Sequence, residues 1–393
     1  MRIAMVSLQA SPLPALRDRD VTGQPLYVAK LSEALHQQGH ELTIYTRRAD
    51  ARLPERMRVA DGFEVVHLPA GPARQLGRDD VVQHIGEFAQ SLHEHWTGDA
   101  PDLVHAHHWT SGFAAVVSTR HSGIPVVQSY HALLGGDSAA HERVVGREAA
   151  RVIATSGHEA DELAGLGVRR SKISTVPWGV DLRTFTPNGP TAPRKGMSRL
   201  LAVGGLAPHD GVDDLISALA TVTWAELVVA GGPSRSRPAP DANLRRLREL
   251  ASRHGVAHRV TFLGRVPHAE MASLMRSADV VVCPQWHEPF GIVPIEAMAC
   301  GVPVVATAVG GLAETVVHGV TGVHVPPREP TALARALRSL LANDVRRQEM
   351  SYAAEDRARV RYAWQRVALE MSRAYQRAGA PVATGAEVAA AAR

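Results

Sequence analysis

The stretch VVVCPQWHEPFGIVPIEAMACGVPVVAT, residues 280–307, decides the architecture. Two apolar runs, at 280–283 and 303–306, flank a loop that turns into a helix. Neither run alternates apolar with polar residues, so both read as strands covered on two faces, as in a parallel sheet. Strand, helix and strand in that order make the parallel crossover from which doubly wound α/β domains are built.

The same rhythm extends outward. Further strands are expected at 199–203, 226–230, 260–263 and 322–325, with Pro326 and Pro327 ending the last, and helices at 331–342 and 364–376. Toward the amino terminus, 2–8, 41–46, 103–107, 125–129, 152–155 and 173–176 read as strands and 24–38 as a helix. Between the halves, 186–197 is rich in Pro, Gly and Arg without periodicity. The predicted fold class is therefore α/β, with two doubly wound Rossmann-like domains at 1–185 and 198–363 joined by a linker at 186–197. A helix over 364–378 is expected to pack back on the first domain, and the Ala- and Gly-rich tail, 379–393, to be disordered. Sheets whose carboxyl ends face each other leave a central cleft, where open α/β sheets bind ligands.

Composition agrees with that picture. A chain of 393 residues is too long for one ordinary core, and 45% hydrophobic with 21% charged residues suffices to fill two. The 43 basic and 39 acidic residues are interspersed, which excludes a nucleic-acid-binding arm; only Lys30, Lys172 and Lys195 are lysines. Cys283 and Cys300 are the sole cysteines, with neither zinc spacing nor a disulfide framework, so a cytoplasmic location is expected. The opening apolar run is too short for a secretion signal or a membrane span. No amphipathic basic helix announces a stable membrane anchor, and monomer and homodimer both stay open.

The chemistry concentrates at His287–Thr307. Glu288 and Glu296 stand eight residues apart with Gly291 between them, on a loop entering a helix. That places Glu288 at the mouth and Glu296 on the first helical turns, and directs the N–H groups of Phe290, Gly291 and Ile292 at an anion. A carboxylate accepts the two hydroxyls of a ribose, and a second can take hydroxyls of a donor sugar. The bland alternative is a pair of solvated or capping glutamates.

This string, together with AVGGLAETVVHGVTGVHVPP, DVTGQPLYVAKLSEALHQQGHELTIYT, DLVHAHHWTSG, VVQSYHAL, VPWGVDLRTFTP, LAVGGLAPHDGVDDLI and ELVVAGGP, resembles the retaining glycosyltransferases of family four, which have the GT-B fold. The resemblance covers nearly the whole chain and is nearest the sucrose-synthase-like and inositol-phosphate N-acetylglucosaminyltransferase subgroup. It implies a nucleotide-sugar donor as co-substrate, no cofactor, and a small-molecule acceptor. Glu296 would bind the donor ribose and Glu288 the donor sugar, with Gly291 and Ile292 offering amides. Gly23, after strand one, would let backbone approach the donor phosphate and the acceptor; the usual glycine pair is Thr22–Gly23 here. His107 and His131 match family histidines near the reacting sugar, whereas His105 and His108 read as structural and Trp178 as interdomain packing. Gly204 and Gly205 end a strand where backbone can approach a nucleotide.

One loop departs from the family. Where the pattern has an Arg and a Lys that neutralise the departing diphosphate, this chain has Gly205 and Asp210. Stand-ins would be Arg265, Arg235, Arg237 or His209. Three readings stay open: a working transferase with relocated cations or a divalent metal bridging Asp210 and the phosphates; a relative with an unusual donor or acceptor, as in antibiotic or thiol metabolism; and a weakly active or inactive partner protein. The resemblance implies retention of configuration with the leaving phosphate acting as base; the sequence offers no carboxylate pair of the glycosidase type. A sugar-nucleotide epimerase is a competing class. A nicotinamide-dependent oxidoreductase fails because SLQASPLPAL, without G-x-G-x-x-G, follows the first strand.

Overall fold

The structure, a computed structural model, describes all residues except 15–22, 60–61, 134, 195, 234–240 and 382–393. The chain forms two compact units, Met1–Gly179 with Trp364–Arg393, and Val180–Ala363.

The first unit runs β1 (Arg2–Val6), α1 (Gln24–His36), β2 (Glu41–Arg47), β3 (Arg56–Arg58), β4 (Glu64–Leu68), α2 (Arg78–Val82), α3 (Ile85–Gly98), β5 (Leu103–His107), α4 (Trp109–Ser118), β6 (Val126–Ser129), α5 (Ala139–Glu148), β7 (Arg151–Ala154), α6 (Gly157–Gly165) and β8 (Ile173–Thr175). Its sheet has the order β3-β4-β2-β1-β5-β6-β7-β8, parallel throughout except for β3 against β4. The winding reverses between β1 and β5, and the crevice beyond their carboxyl ends is the topological switch point. Two-sided covering explains why β5 is buried at all its positions, His105 and His107 included.

The second unit runs β9 (Ser198–Val203), α7 (Val212–Leu219), β10 (Ala225–Ala230), α8 (Ala242–Arg253), β11 (Val260–Gly264), α9 (His268–Arg276), β12 (Val280–Cys283), α10 (Ile292–Ala299), β13 (Val304–Thr307), α11 (Leu312–Thr315), β14 (Gly322–Val325), α12 (Pro330–Leu341) and α13 (Asp344–Tyr362). Its six strands are all parallel in the order β11-β10-β9-β12-β13-β14. The switch point lies between β9 and β12, so the loop carrying Gly204 and Gly205 and the loop carrying Glu288 emerge side by side.

Three differences from the sequence reading have physical causes. The stretch 186–197 belongs to the second unit, because its carbonyls are taken up there: Arg276 donates to Thr186 O (3.0 Å) and Pro190 O (2.8 Å), and Arg199 to Pro193 O (2.7 Å). Helix α13 escapes the apolar pattern because its buried stripe is only Met350, Ala354, Ala358 and Tyr362, one residue per turn. The strands β3 and β4 were likewise not anticipated; β3 is three residues long, at the sheet edge, with exposed arginines at both ends.

After α13 the chain re-enters the first unit as α14 (Trp364–Arg377), whose buried face includes Val367, Ala368, Met371 and Tyr375. Ser372 Oγ pairs with His40 Nε2 at 3.1 Å. Of the expected tail, 382–393 lies outside the described residues. Among the described residues no helix is long and apolar enough to cross a membrane. Both cysteines are buried and unpaired, and burial raises both thiols, Cys300 to about 12.

Candidate functional site

In the second unit, β12 delivers the chain into the loop 284–291 and then into α10. Gly291 caps the helix at φ 68°, and a Cβ there would lie 2.8 Å from Thr315 Oγ1, so both the backbone conformation and the close packing call for glycine. Glu288 Oε1 accepts the Phe290 N–H (3.1 Å) and the Gly291 N–H (3.2 Å), while the Glu288 carbonyl accepts the Gly311 N–H (2.8 Å). Two of the three amides expected to face an anion are therefore committed to the protein's own carboxylate, which lies within reach two and three residues upstream. The Ile292 N–H, at the first turn, has no intrahelical acceptor. Glu288 serves as a cap through Oε1.

Glu296 sits one turn further along α10. Its Oε1 meets His268 Nε2 at 2.9 Å, with the two side chains only 12% and 18% exposed. His268 opens α9, and the buried Phe185 packs on its ring at 5.2 Å between centroids.

The adjoining loop follows β9. Gly204 and Gly205 are exposed, and Asp210 closes the turn by accepting the Ala207 N–H through Oδ2 at 2.7 Å. A Cβ built on Gly205 would lie 2.8 Å from Asp210 Cγ and 2.9 Å from Oδ1, with Oδ2 nearer still. The two departures from the family pattern thus form one unit: the carboxylate at 210 occupies the space that any side chain at 205 needs. Trp286 ties this loop to the next, donating its N–H to His209 O (2.9 Å) and its indole N–H to Asp214 (3.2 Å), while the Arg328 guanidinium stacks on its ring at 4.1 Å. Arg265 follows β11 at the same sheet end, exposed, its guanidinium bonded to no described residue. Arg235 and Arg237 lie outside the described residues.

In the first unit, Gly23 caps α1 with φ 75° and ψ −147°, a conformation open to glycine. Thr22 lies outside the described residues. Gln24 Nε2 donates to Ser7 Oγ (3.1 Å) and to the His107 carbonyl (3.3 Å), joining the start of α1 to the ends of β1 and β5.

The histidines there form a packed column. His105 bonds the Tyr375 hydroxyl (2.8 Å) and Ser129 Oγ (2.9 Å); His107 bonds His131 Nε2 (2.9 Å) and approaches Met5 Sδ (3.4 Å). Burial pushes His105 and His131 down to about 3 and His107 well below its usual value, so all three are neutral near pH 7. The sequence reading gave His107 a sugar-facing ring. In this structure His107, the last residue of β5, is buried, and its ring nitrogens meet His131 Nε2 and Met5 Sδ. His131, with φ 62° and a buried Nδ1 lacking a partner, stands next in the column. The 2.9 Å contact between His107 Nδ1 and His131 Nε2 holds one N–H, donated by one ring and accepted by the other. His108 caps α4, its side chain accepting the Thr110 N–H. Trp178, expected as interdomain packing, packs within this unit on Tyr27 (4.7 Å) and His131 (6.0 Å).

Sequence reading overlooked His268 and Trp286. His268 sits 28 residues from Glu296 in a VPHAE string that shows only a helix start, and Trp286 sits inside the decisive stretch without a charge or spacing to mark it.

Comparison with known proteins shows the family and the fold. The family model for group 1 glycosyl transferases matches residues 190–357, and that for glycosyltransferase family 4 matches residues 21–184. The D-inositol 3-phosphate glycosyltransferase of Xylanimonas cellulosilytica is 36% identical over 96% of this chain and 97% of its own length, and that of Geodermatophilus obscurus 33% over 98% and 91%. Among solved structures, sucrose-phosphate synthase from Thermosynechococcus elongatus superposes with a TM-score of 0.80 at 28% identity, over 96% of this chain and 98% of its own. Anabaena HepE, solved with UDP-glucose, shares the fold at a TM-score of 0.71 and 21% identity, over 96% and 99%. The chain belongs to the group 1 and family 4 glycosyltransferases and is a GT-B enzyme that transfers a sugar from a nucleotide-sugar donor.

Proposed function

We propose that this enzyme transfers its sugar with retention of configuration to a small polar acceptor, and that a phosphorylated cyclitol such as D-inositol 3-phosphate is the first acceptor class to assay. The observation that carries the donor side is the pair of carboxylates on one loop and helix at the switch point, each with one oxygen held by the protein: Glu288 by the Phe290 and Gly291 amides, Glu296 by His268. Each keeps a fixed acceptor for hydroxyls, Glu296 for the ribose and Glu288 for the donor sugar, at no further cost in side-chain ordering. The acceptor class rests on relatives named for D-inositol 3-phosphate at 33–36% identity.

The donor's phosphates need another source of positive charge than the loop after β9, where Asp210 is spent on the Ala207 N–H. Arg265 and the first turn of α10 with the Ile292 N–H supply it in this reading. Departure of the nucleoside diphosphate is then stabilised by fixed charge, and its phosphate takes the acceptor proton on the face that it leaves.

The test is to incubate the full chain with UDP-, GDP- and ADP-sugars and D-inositol 3-phosphate, to measure nucleoside diphosphate release, and to read the product's anomeric configuration by NMR. Acceptor-dependent release with one donor and a retained anomer is the expected result. Release without inositol phosphate dependence would remove that acceptor, and an inverted anomer would remove the mechanism.

A further inference from the structure

We infer that His268 is a positioning residue for donor recognition, acting through Glu296 to set the enzyme's preference for a ribonucleotide. The inference rests on the proposed reading that Glu296 holds the donor ribose.

His268 and Glu296 come from different helices, α9 and α10, and meet because the two helices pack against each other. A carboxylate only accepts, so His268 Nε2 must carry the proton in their 2.9 Å contact. The histidine is itself restrained: it is the first residue of α9, directly after Pro267, and its ring lies against buried Phe185. The pair is part-buried, with His268 18% and Glu296 12% exposed.

A glutamate on a helix otherwise samples several rotamers, and its two oxygens exchange freely. Anchoring Oε1 leaves Oε2 and the outer lone pair of Oε1 in one plane with one orientation. That is the acceptor arrangement which matches two neighbouring hydroxyls and gives little to one. His268 touches no substrate in this scheme; it converts a mobile acid into a fixed acceptor for a vicinal diol, as an outer hydrogen bond orients a metal-binding histidine. Loss of such an anchor should affect the hydroxyl-dependent part of binding and leave the base and phosphate contacts alone.

The experiment is calorimetric titration of the full chain with UDP, ADP and GDP, followed by the 2′-deoxy form of whichever binds. His268→Ala is expected to weaken the ribonucleotide about 5- to 10-fold while changing the deoxy form less than about 2-fold, a loss of the size of one net hydrogen bond. His268→Gln, whose amide nitrogen reaches the Nε2 position, should restore most of the preference; His268→Asn, which reaches only the Nδ1 position, should not. If Glu296→Ala abolishes the preference and His268→Ala keeps it whole, the inference on His268 is overturned while the ribose reading stands. If Glu296→Ala itself keeps the preference, the ribose reading fails first. Should His268→Ala not fold, the Gln and Asn pair decides alone, and equal preference in both would overturn the inference.

Discussion

The Gly205–Asp210 contact yields a test with a sign to it. Gly205 does not adopt the left-handed backbone conformation, so alanine there carries no φ penalty. Shortening the flexibility of the unfolded chain should then stabilise by about 0.4–1 kcal/mol. Opposing this, the new Cβ would sit 2.8 Å from Asp210 Cγ, so the carboxylate must swing away and give up the Ala207 N–H. A lost turn-capping bond of this type costs about 1 kcal/mol. Gly205→Ala alone is therefore expected to be near neutral. Asp210→Ala alone should cost about 1 kcal/mol. In the Asp210→Ala background, however, there is no carboxylate to displace, and Gly205→Ala becomes stabilising by its entropic gain. The coupling in this cycle is about 1 kcal/mol, equivalent to ~2–4 °C in a domain of this size. Urea titration of the four proteins, followed by tryptophan fluorescence, measures it; Trp286, bonded to His209 and Asp214, reports on this loop directly. Additivity within about 0.3 kcal/mol would refute the contact as a coupled pair. The same logic governs function: Gly205→Arg alone should not tighten nucleoside diphosphate binding, because Asp210 remains in its way, whereas Gly205→Arg with Asp210→Lys should.

Three further outcomes follow from the geometry. The buried histidines make the first unit acid-sensitive. A histidine held neutral in the fold at a pKa of about 3, as for His105 and His131, or about 4, as for His40, binds its proton only in the unfolded chain as pH falls below 6.5. Its contribution is thus fully present above pH 6.5 and is lost on the way down, by about 1.4 kcal/mol per pH unit for each such group. Glu159, raised by burial, offsets part of this; a first-unit unfolding midpoint in urea unchanged between pH 7 and pH 5 would contradict the assignment. Tyr375→Phe removes the partner of His105 and leaves a buried ring nitrogen unsatisfied, so it should cost about 1–3 kcal/mol and raise amide exchange along α14. Arg265→Ala, at an exposed side chain, should change the unfolding midpoint negligibly yet weaken nucleoside diphosphate binding about 5- to 10-fold and flatten its salt dependence; unchanged affinity would return the search to His209 and to the arginines at 235 and 237.

Much of the fold was legible in the chain itself. Strands buried on both faces announce themselves as apolar runs, as at 280–283, and the expected bounds 103–107 and 280–283 match those observed. Where a segment's burial is slight, the signal vanishes: β3 is exposed at the sheet edge, and α13 buries a single residue per turn along a polar helix. The boundary between the units also escaped the sequence, since the Pro-rich stretch at 186–197 reads as a linker until Arg276 and Arg199 are seen to claim its carbonyls.

At the site, sequence alone determined which residues are present: the two glutamates, the glycine that must turn the chain into α10, and the missing cations at 205 and 210. Tertiary structure decided how each is used. It gave the Phe290 and Gly291 amides to Glu288, paired Glu296 with a histidine from another helix, folded Asp210 over Gly205, and buried His107 behind His131. The physical reason is that residue type and spacing specify what a group can donate or accept, whereas its partner is whichever complementary group the packed sheets and helices bring within about 3 Å.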